Sequence, residues 1–345
     1  MDERADAIGR FLALNGWAGA KRTALAADAS FRRYDRIIDG DRTAVLMDAP
    51  PPKENVQSFV TVANHLVAMG FGAPEILAED REKGFLLLED LGDDTFTKIL
   101  TAGGDERKLY SLAVDALIDL HRRKDAVAIP GGLPEYDHPR LLDEAILLFD
   151  WFVPAVRSRY PTMAEKRDFV AAWLGAALSG LSTLPPTLVL RDFHVDNLMV
   201  RKGRAGIARC GLLDFQDALI GPRAYDLMSL LEDARRDIDP ALAADMVGRY
   251  LAAFPDLDRK AFMDDFVILA AQRHAKVIGI FTRLCVRDGK DGYLKHIPRV
   301  WRLLERTLTH PALASFAAWL DDACPKELRK APDVAALPTK ARTGS

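Results

Sequence analysis

Three short apolar runs with strand character lie between two helical stretches of this chain, and this arrangement restricts the possible folds more than any other feature. The runs are TLVL, NLMV and ARCGLLDF, at 187–190, 197–200 and 208–215. Short apolar runs bounded by polar turn residues predict strands. Helical periodicity surrounds them, at 105–123, 139–159 and 164–182 on one side and from 223 onward on the other. The sequence therefore predicts a helical region that contains a small β-insertion.

The stretch before residue 92 has a pattern typical of a small antiparallel sheet. RRYDRIIDG and RTAVLMD are β-prone runs separated by Asp39-Gly40-Asp41, and an Asp-Gly pair between such runs predicts a hairpin. EILAED and GFLLLED predict a second hairpin, and 55–69 has helical periodicity. Strands followed by helices predict an α+β fold. We expect an N-terminal lobe over 1–91, a mostly helical C-terminal lobe over 92–324, and a flexible tail over 325–345.

Composition excludes several classes of function. The net charge of −3 gives no support for nucleic-acid binding. Three widely spaced cysteines without a CxxC pair suggest neither a zinc site nor a disulfide framework, and reduced thiols fit a cytoplasmic protein best. The N-terminus does not resemble a secretory signal, and no uncharged apolar run is long enough to suggest a membrane-spanning helix. We therefore expect a cytoplasmic protein without a membrane or nucleic-acid partner.

Polar residues stand where the strands of the β-insertion end. Asp192 and Asn197 flank the loop between the first two runs, and Asp214 ends the third. If these strands are neighbours, the three side chains can face one cavity. Oxygen ligands suit Mg²⁺, and a further carboxylate can orient and deprotonate a hydroxyl. This set of groups is what phosphoryl transfer requires.

The same residues carry a resemblance to a known family. Asp192-x-x-x-x-Asn197 followed by LLDF at 212–215 resembles the catalytic motif and metal-binding Asp of the aminoglycoside phosphotransferase family, which has a bilobal protein-kinase-like fold. The blocks DASFRRY, LMDAPPPKE, GFLLLEDLGD, RDFHVDNLM and LLDFQDALIGPRAYDL are similar to one subgroup, the bacterial anomeric sugar kinases that phosphorylate N-acetylmuramate and N-acetylglucosamine. The resemblance covers nearly the whole chain.

The resemblance implies roles for the residues of the C-terminal motifs. Asp192 would be the catalytic base, and Asn197 and Asp214 would hold Mg²⁺. Asp226, in the helix after Gly221-Pro222, would support the catalytic loop from behind.

The resemblance also implies a site for ATP. Ser30, Phe31 and Arg32, in DASFRRY, would belong to the loop over the ATP phosphates. Glu89 to Leu91 would form the hinge between the lobes, whose backbone groups meet adenine.

Two positions depart from the family pattern. Kinase-like folds place a lysine on the third strand to contact the phosphates, whereas TAVLMD has Met47 there, and Arg32, Arg33 and Lys53 are the candidate replacements. Leu190 stands where the family often has a histidine that packs the catalytic loop.

Three further polar residues of these motifs have two interpretations each. His194 contacts substrate or only hydrogen-bonds within its loop. Asp217 contacts sugar or metal, or caps the next turn. Arg191 stabilises developing charge or pairs with a neighbouring acid.

Three functions remain in competition. The first is an ATP- and Mg²⁺-dependent kinase for the anomeric hydroxyl of an amino sugar, acting in cell-wall recycling. The second is a kinase of the same fold for an aminoglycoside, choline or another amino alcohol. The third is a nucleotide-binding regulatory protein without turnover, which Met47 motivates. The oligomeric state is not predicted.

Overall fold

The computed structural model of the chain describes residues 3–25, 32–123, 125–174 and 180–333. The strands within these residues are β1 Lys21–Ala24, β2 Arg33–Asp39, β3 Arg42–Asp48, β4 Ile76–Asp80, β5 Phe85–Glu89, β6 Thr187–Val189, β7 Leu198–Val200, β8 Cys210–Leu212 and β9 Leu219–Gly221. The α-helices are α1 Glu3–Leu14, α2 Gln57–Ala68, α3 Phe96–Thr101, α4 Glu106–Arg122, α5 Asp125–Ala128, α6 His138–Ala145, α7 Val153–Arg157, α8 Met163–Ala172, α9 Tyr225–Leu231, α10 Pro240–Ala252, α11 Arg259–Asp288, α12 Ile297–Thr307 and α13 Ala314–Ala323.

The described residues form two compact units. The first contains the chain up to Gly132 together with 190–218, and the second contains 133–189 and everything from Leu219 onward. The predicted lobe boundary at residue 91 rests on composition and stays a prediction.

A five-stranded antiparallel sheet forms the front of the first unit. Its strand order is β1-β2-β3-β5-β4, and a tight turn at Gly40, whose φ is +59°, joins β2 to β3 as the Asp-Gly pattern predicted. Side chains alternate between the two faces of a strand. Ile37, Ala44 and Leu87 therefore share one face, where they pack against Phe11 of α1. The opposite face carries Tyr34, Met47 and Leu86, which stand opposite one another in register.

The small hairpin β7–β8 completes the first unit. Leu198 pairs with Leu212, and Gly72 makes a parallel bridge to Gly211 at the edge of β8. The segment after α2 thus extends the hairpin that leads to Asp214. The second unit contains the other short sheet, in which β6 pairs with β9.

The helix α11 forms the centre of the second unit. It packs against α12, α6 and a π-helical turn at Leu148–Phe152, and it buries Ile268, Ile278 and Phe281 in an apolar core. The Phe152 ring lies 5.3 Å from the Trp301 ring, centroid to centroid. Each large ring of this kind buries a large apolar area in the core.

Most of the predicted elements are present. Both hairpins of the front sheet, the helix after the prolines and the strands 198–200 and 210–212 are confirmed. The segment predicted as one helix over 139–159 is helical from His138 to Arg157 with a turn at Ile146, but it is not one regular α-helix, because the π-helical turn at Leu148–Phe152 lies between α6 and α7. The run TLVL does not pair with its sequence neighbour, since its partner is β9, which was not predicted.

Of the predicted tail, residues 325–333 are described, and within them the buried Arg329 donates to the Cys324 carbonyl and pairs with Glu305. Residues 334–345 lie outside the described part of the chain. Among the described helices, none combines the length and the apolar character needed to cross a bilayer.

Candidate active site

The loop between β6 and β7 carries the predicted base in a constrained backbone. Arg191 has a φ of +69°, in the left-handed region that residues other than glycine rarely adopt. The Asp192 amide donates to the Leu190 carbonyl. The Arg191 guanidinium reaches the Asp217 carbonyl at 3.3 Å. Such backbone strain persists where the surroundings enforce it and is found most often at functional sites. The loop therefore presents Asp192 in a specified position.

Asn197 joins the predicted catalytic and metal-binding residues. Its Nδ2 donates to the Asp192 carbonyl at 3.0 Å and lies 3.4 Å from Oδ2 of Asp214 and 3.3 Å from Nε2 of His194. These contacts all use the amide nitrogen. The amide oxygen is therefore the atom of Asn197 that can ligate a cation.

Asp214 is held by the residues that follow it. Its φ of +58° is also left-handed, and its Oδ1 accepts a 2.8 Å hydrogen bond from Nε2 of Gln216. The next residue, Phe215, is buried and stacks on Phe59 of α2 with ring centroids 5.0 Å apart. The Leu213 amide donates to the Asn197 carbonyl. These contacts bring Asn197, the Asp214 carboxylate and the Asp192 backbone together within one compact unit, and the roles predicted for the three side chains stay predictions.

Two residues that the sequence reasoning did not select support this arrangement. Thr97 of α3 donates a short hydrogen bond to Asp196, the residue before Asn197. Gln216 is buried and touches both Asp214 and Asp217. Gln216 lies two positions after Asp214, so the sequence could have indicated it. No local pattern relates Thr97 to Asp196, which are far apart in the chain.

Gly72 allows the close backbone contact that supports β8. The Leu212 amide donates to the Gly72 carbonyl at 3.1 Å, and a Cβ on Gly72 would lie 2.2 Å from the Cys210 carbonyl oxygen. We expect Gly72→Ala to lower the free energy of unfolding by about 1–2 kcal/mol, because the segment must move away from β8. Thermal unfolding followed by circular dichroism measures this.

The matched control for Gly72 is Gly9→Ala in α1, where an added Cβ meets nothing within 4 Å. Alanine is the better helix former, so we expect this variant to be at least as stable as the parent. Equal stability of the Gly72 and Gly9 variants would contradict the role given to Gly72.

The predicted hinge is held by ion pairs on both sides. Glu89 ends β5, and its carboxylate makes a short contact with the buried Arg201 beside β7. Arg36 of β2 donates to Oδ1 of Asp90 at 3.0 Å and to Oδ1 of Asp93 at 2.9 Å. Glu89 and Leu91 line a cavity of about 260 Å³. Its other lining residues lie within 90–94, 200–202 and at Arg204. The hinge backbone is thus fixed relative to both the sheet and the β7–β8 hairpin.

The other predicted site residues are placed as follows. Ser30 and Phe31 lie outside the described residues. Arg32 is partly buried and pairs with Glu54. Met47 is buried on β3, so this strand supplies no cation at that position. Asp226 is buried in the first turn of α9, in the second unit.

The residues predicted with two interpretations also lie in this loop region. His194 is buried and contacts Asn197, whereas the Asp217 side chain is exposed. The contact with Asn197 favours a role for His194 in supporting the loop, and its contact with a substrate stays a prediction.

The oxygen donors of Asn197 and Asp214 are of the kind that Mg²⁺ takes in proteins. Over the described residues, no cluster of three or more His, Cys, Asp or Glu side chains could hold a metal. One amide oxygen and one carboxylate, at Asn197 and Asp214, remain close together. Mg²⁺ usually takes one or two protein oxygens and completes its shell with water and phosphate oxygens.

The chain matches known proteins over most of its length. Residues 21–263 match the model of the phosphotransferase enzyme family. The N-acetylmuramate/N-acetylglucosamine kinase of Caulobacter vibrioides is 36% identical, over 95% of this chain and 99% of the relative. The protein of the same name from Pseudomonas aeruginosa is 38% identical, over 86% of each chain.

Solved structures show the same fold at low identity. A choline/ethanolamine kinase family protein from Mesorhizobium loti superposes with a TM-score of 0.61 at 17% identity, over 92% of this chain and 99% of its own. Aminoglycoside 2'-phosphotransferase-IIIa, in its GDP complex, gives 0.58 at 13% identity, over 90% and 99%. These structures establish a bilobal protein-kinase-like α+β fold, which confirms the predicted fold class.

Proposed function

Because this chain belongs to the phosphotransferase enzyme family, we propose that it transfers the γ-phosphate of ATP to the anomeric hydroxyl of N-acetylmuramate and N-acetylglucosamine. That it is a phosphotransferase acting on a hydroxyl group follows from the family and from its kinase relatives. The observation that carries the finer proposal is the identity of 36% over 99% of a relative that bears this substrate pair in its name.

The residues of the loop divide the chemistry between them. Asp192 would orient the acceptor hydroxyl and take its proton as the oxygen attacks phosphorus. Asn197 and Asp214 would hold Mg²⁺ through an amide and a carboxylate oxygen. The bound ion would neutralise charge on the phosphate oxygens. His194 and Gln216 would keep Asn197 and Asp214 in position.

The nucleotide would be held by backbone and cationic groups. In this proposal the backbone of Glu89 and Leu91 meets adenine, while Ser30, Phe31 and Arg32 belong to the loop over the phosphates. The ion pairs of Glu89 and Arg36 support it, because they tie the hinge residues to Arg201 and to β2. Binding to a preformed site costs less ordering entropy.

The proposal also assigns roles to Arg191, Asp217 and Asp226 and a cellular setting to the reaction. Arg191 and Asp217 would contact the acceptor or its phosphate, and the buried Asp226 would support the catalytic loop. We propose that the enzyme works in the cytoplasm on amino sugars released during cell-wall recycling. Neither a membrane nor a nucleic acid takes part in the proposed reaction.

The proposal is tested by ADP release with Mg-ATP and a panel of acceptors. We expect turnover with N-acetylmuramate and N-acetylglucosamine, and phosphorus NMR of the product should show phosphate on the sugar C1. The matched control is the methyl glycoside of N-acetylglucosamine, which lacks a free anomeric hydroxyl and should give no turnover.

Other outcomes of the panel would select among the competing functions. Turnover with kanamycin or choline alone would keep the kinase chemistry and overturn the proposed acceptor. ATP binding without turnover on any acceptor would favour a regulatory protein.

A further inference from the structure

The sheet face that carries Met47 also carries a cation from a neighbouring strand. Tyr34 stands directly opposite Met47 in the β2–β3 register. Because side chains alternate along an extended strand, Arg32 continues the row of Tyr34, whereas Arg33 continues the row of Ile37 on the face that packs against α1. A diagonal cross-strand neighbour of this kind is within the reach of a long side chain. The Arg32 side chain can therefore reach the same space as the side chain of a lysine at position 47.

Contacts hold the Arg32 side chain in this position. Its Nε lies 3.0 Å from Oε2 of Glu54, and the two side chains are only 13% and 14% exposed. Arg32 also donates to the Tyr34 hydroxyl. A phosphate-contacting lysine in a kinase-like fold is likewise paired with a glutamate. Here Glu54, just before α2, provides the carboxylate.

The predicted metal ligand Asp214 is among the charged groups that act on Arg32. Burial lowers the pKa of the Arg32 guanidinium, but Tyr34, Glu54, Asp214 and Asp217, in decreasing order, raise it, and the net effect is a pKa above the usual value. The charge of the predicted metal ligand Asp214 therefore acts on Arg32, which supports the assignment made from the strand register and the Glu54 contact.

The other two candidate cations are placed differently. Arg33 and Lys53 are both exposed. Arg33 stands opposite Asp48 in register, on the α1 face of the sheet. An exposed cation is weaker toward phosphate than one that is partly buried and already oriented.

We propose that Arg32, oriented by Glu54 and Tyr34, contacts the nucleotide phosphates in place of the lysine that the third strand of a kinase-like fold carries. A guanidinium donates two parallel hydrogen bonds to phosphate oxygens, so this exchange gives a directional contact instead of a point charge. The inference rests on the proposed use of ATP.

The test compares the binding of ATP with that of adenosine by titration calorimetry, in the presence of Mg²⁺. We expect Arg32→Gln to weaken ATP binding at least about tenfold and to lower kcat/KM by about 10²–10³-fold, as expected for a cation at the transferred phosphate. Adenosine has no phosphate, so its affinity should stay within about twofold. Arg32→Lys should restore part of the ATP affinity, because charge returns without the bidentate geometry.

Two further variants separate this role from a structural one. Arg22→Gln removes a matched arginine–carboxylate pair, to Asp35, on the opposite face of the sheet, and should leave both affinities unchanged. Glu54→Gln keeps the guanidinium and releases it from its partner, so ATP affinity should fall less than in Arg32→Gln. An equal loss of ATP and adenosine affinity in Arg32→Gln would overturn the inference, as would an ATP-specific loss in Arg33→Gln or Lys53→Gln alone. If the parent protein binds no ATP, the proposed function itself fails.

Discussion

Asp192→Asn is expected to lower kcat by about 10²–10⁴-fold, the usual contribution of a general base to a proton transfer. The substitution keeps the shape of the side chain and removes its ability to take a proton from the acceptor hydroxyl. Asn197 donates to the backbone carbonyl of Asp192, which the substitution leaves in place, so the loop should keep its conformation. Because Asp192 is not assigned to adenine or to the metal, ATP affinity should stay within about threefold.

Steady-state ADP release with N-acetylglucosamine measures kcat, and titration with ATP measures affinity. The control is Asp168→Asn, which removes an exposed carboxylate from α8 in the second unit and should leave kcat unchanged. Turnover by Asp192→Asn at the parent rate would exclude Asp192 as the base. A parallel loss of ATP affinity would show that the variant had disturbed the site as a whole.

Gly279→Ala is expected to have the largest effect on stability, a loss of about 3 kcal/mol in the free energy of unfolding of the second unit. Gly279 lies within α11, where the π-helical turn approaches the helix backbone. A Cβ there would lie 2.2 Å from the carbonyl carbon of Leu147, 2.4 Å from its oxygen and 2.6 Å from its Cβ. These are backbone and Cβ atoms, which cannot move aside by a side-chain rotation. The helix α11 must therefore separate from the segment that carries Leu147.

Urea unfolding followed by tryptophan fluorescence measures this effect, since Trp173 and Trp301 are buried in the core of the second unit. Gly248→Ala in α10 is the matched control, because an added Cβ meets nothing within 4 Å. Alanine should stabilise that helix by about 0.5–1 kcal/mol. Effects of the same sign in the two variants would show that close packing does not select glycine at position 279.

The front sheet was predictable because its patterns are local. An Asp-Gly turn between two β-prone runs specifies a hairpin within a few residues, and the structure has it at Gly40. The motif from Asp192 to Asn197 was also local, and β7 and β8 pair as neighbours in sequence.

Partners distant in the chain were not predictable in the same way. The pairing of β6 with β9 joins segments about 30 residues apart, and each strand is only three residues long. The contacts of Thr97 with Asp196, and of Phe59 with Phe215, likewise link separate elements. Periodicity describes which face of an element is apolar, not which other element covers it.

The sequence by itself thus determined most of the strands and helices, the family, and which acidic and amide groups lie in the loop from Asp192 to Asn197, because each depends on residues close together in the chain. Only the tertiary structure showed that Arg32 pairs with Glu54, and that Gly72 and Gly279 leave no room for a Cβ. Both depend on atoms of distant residues that approach within a few ångströms. Such approaches follow from the packing of whole elements, which no local pattern encodes.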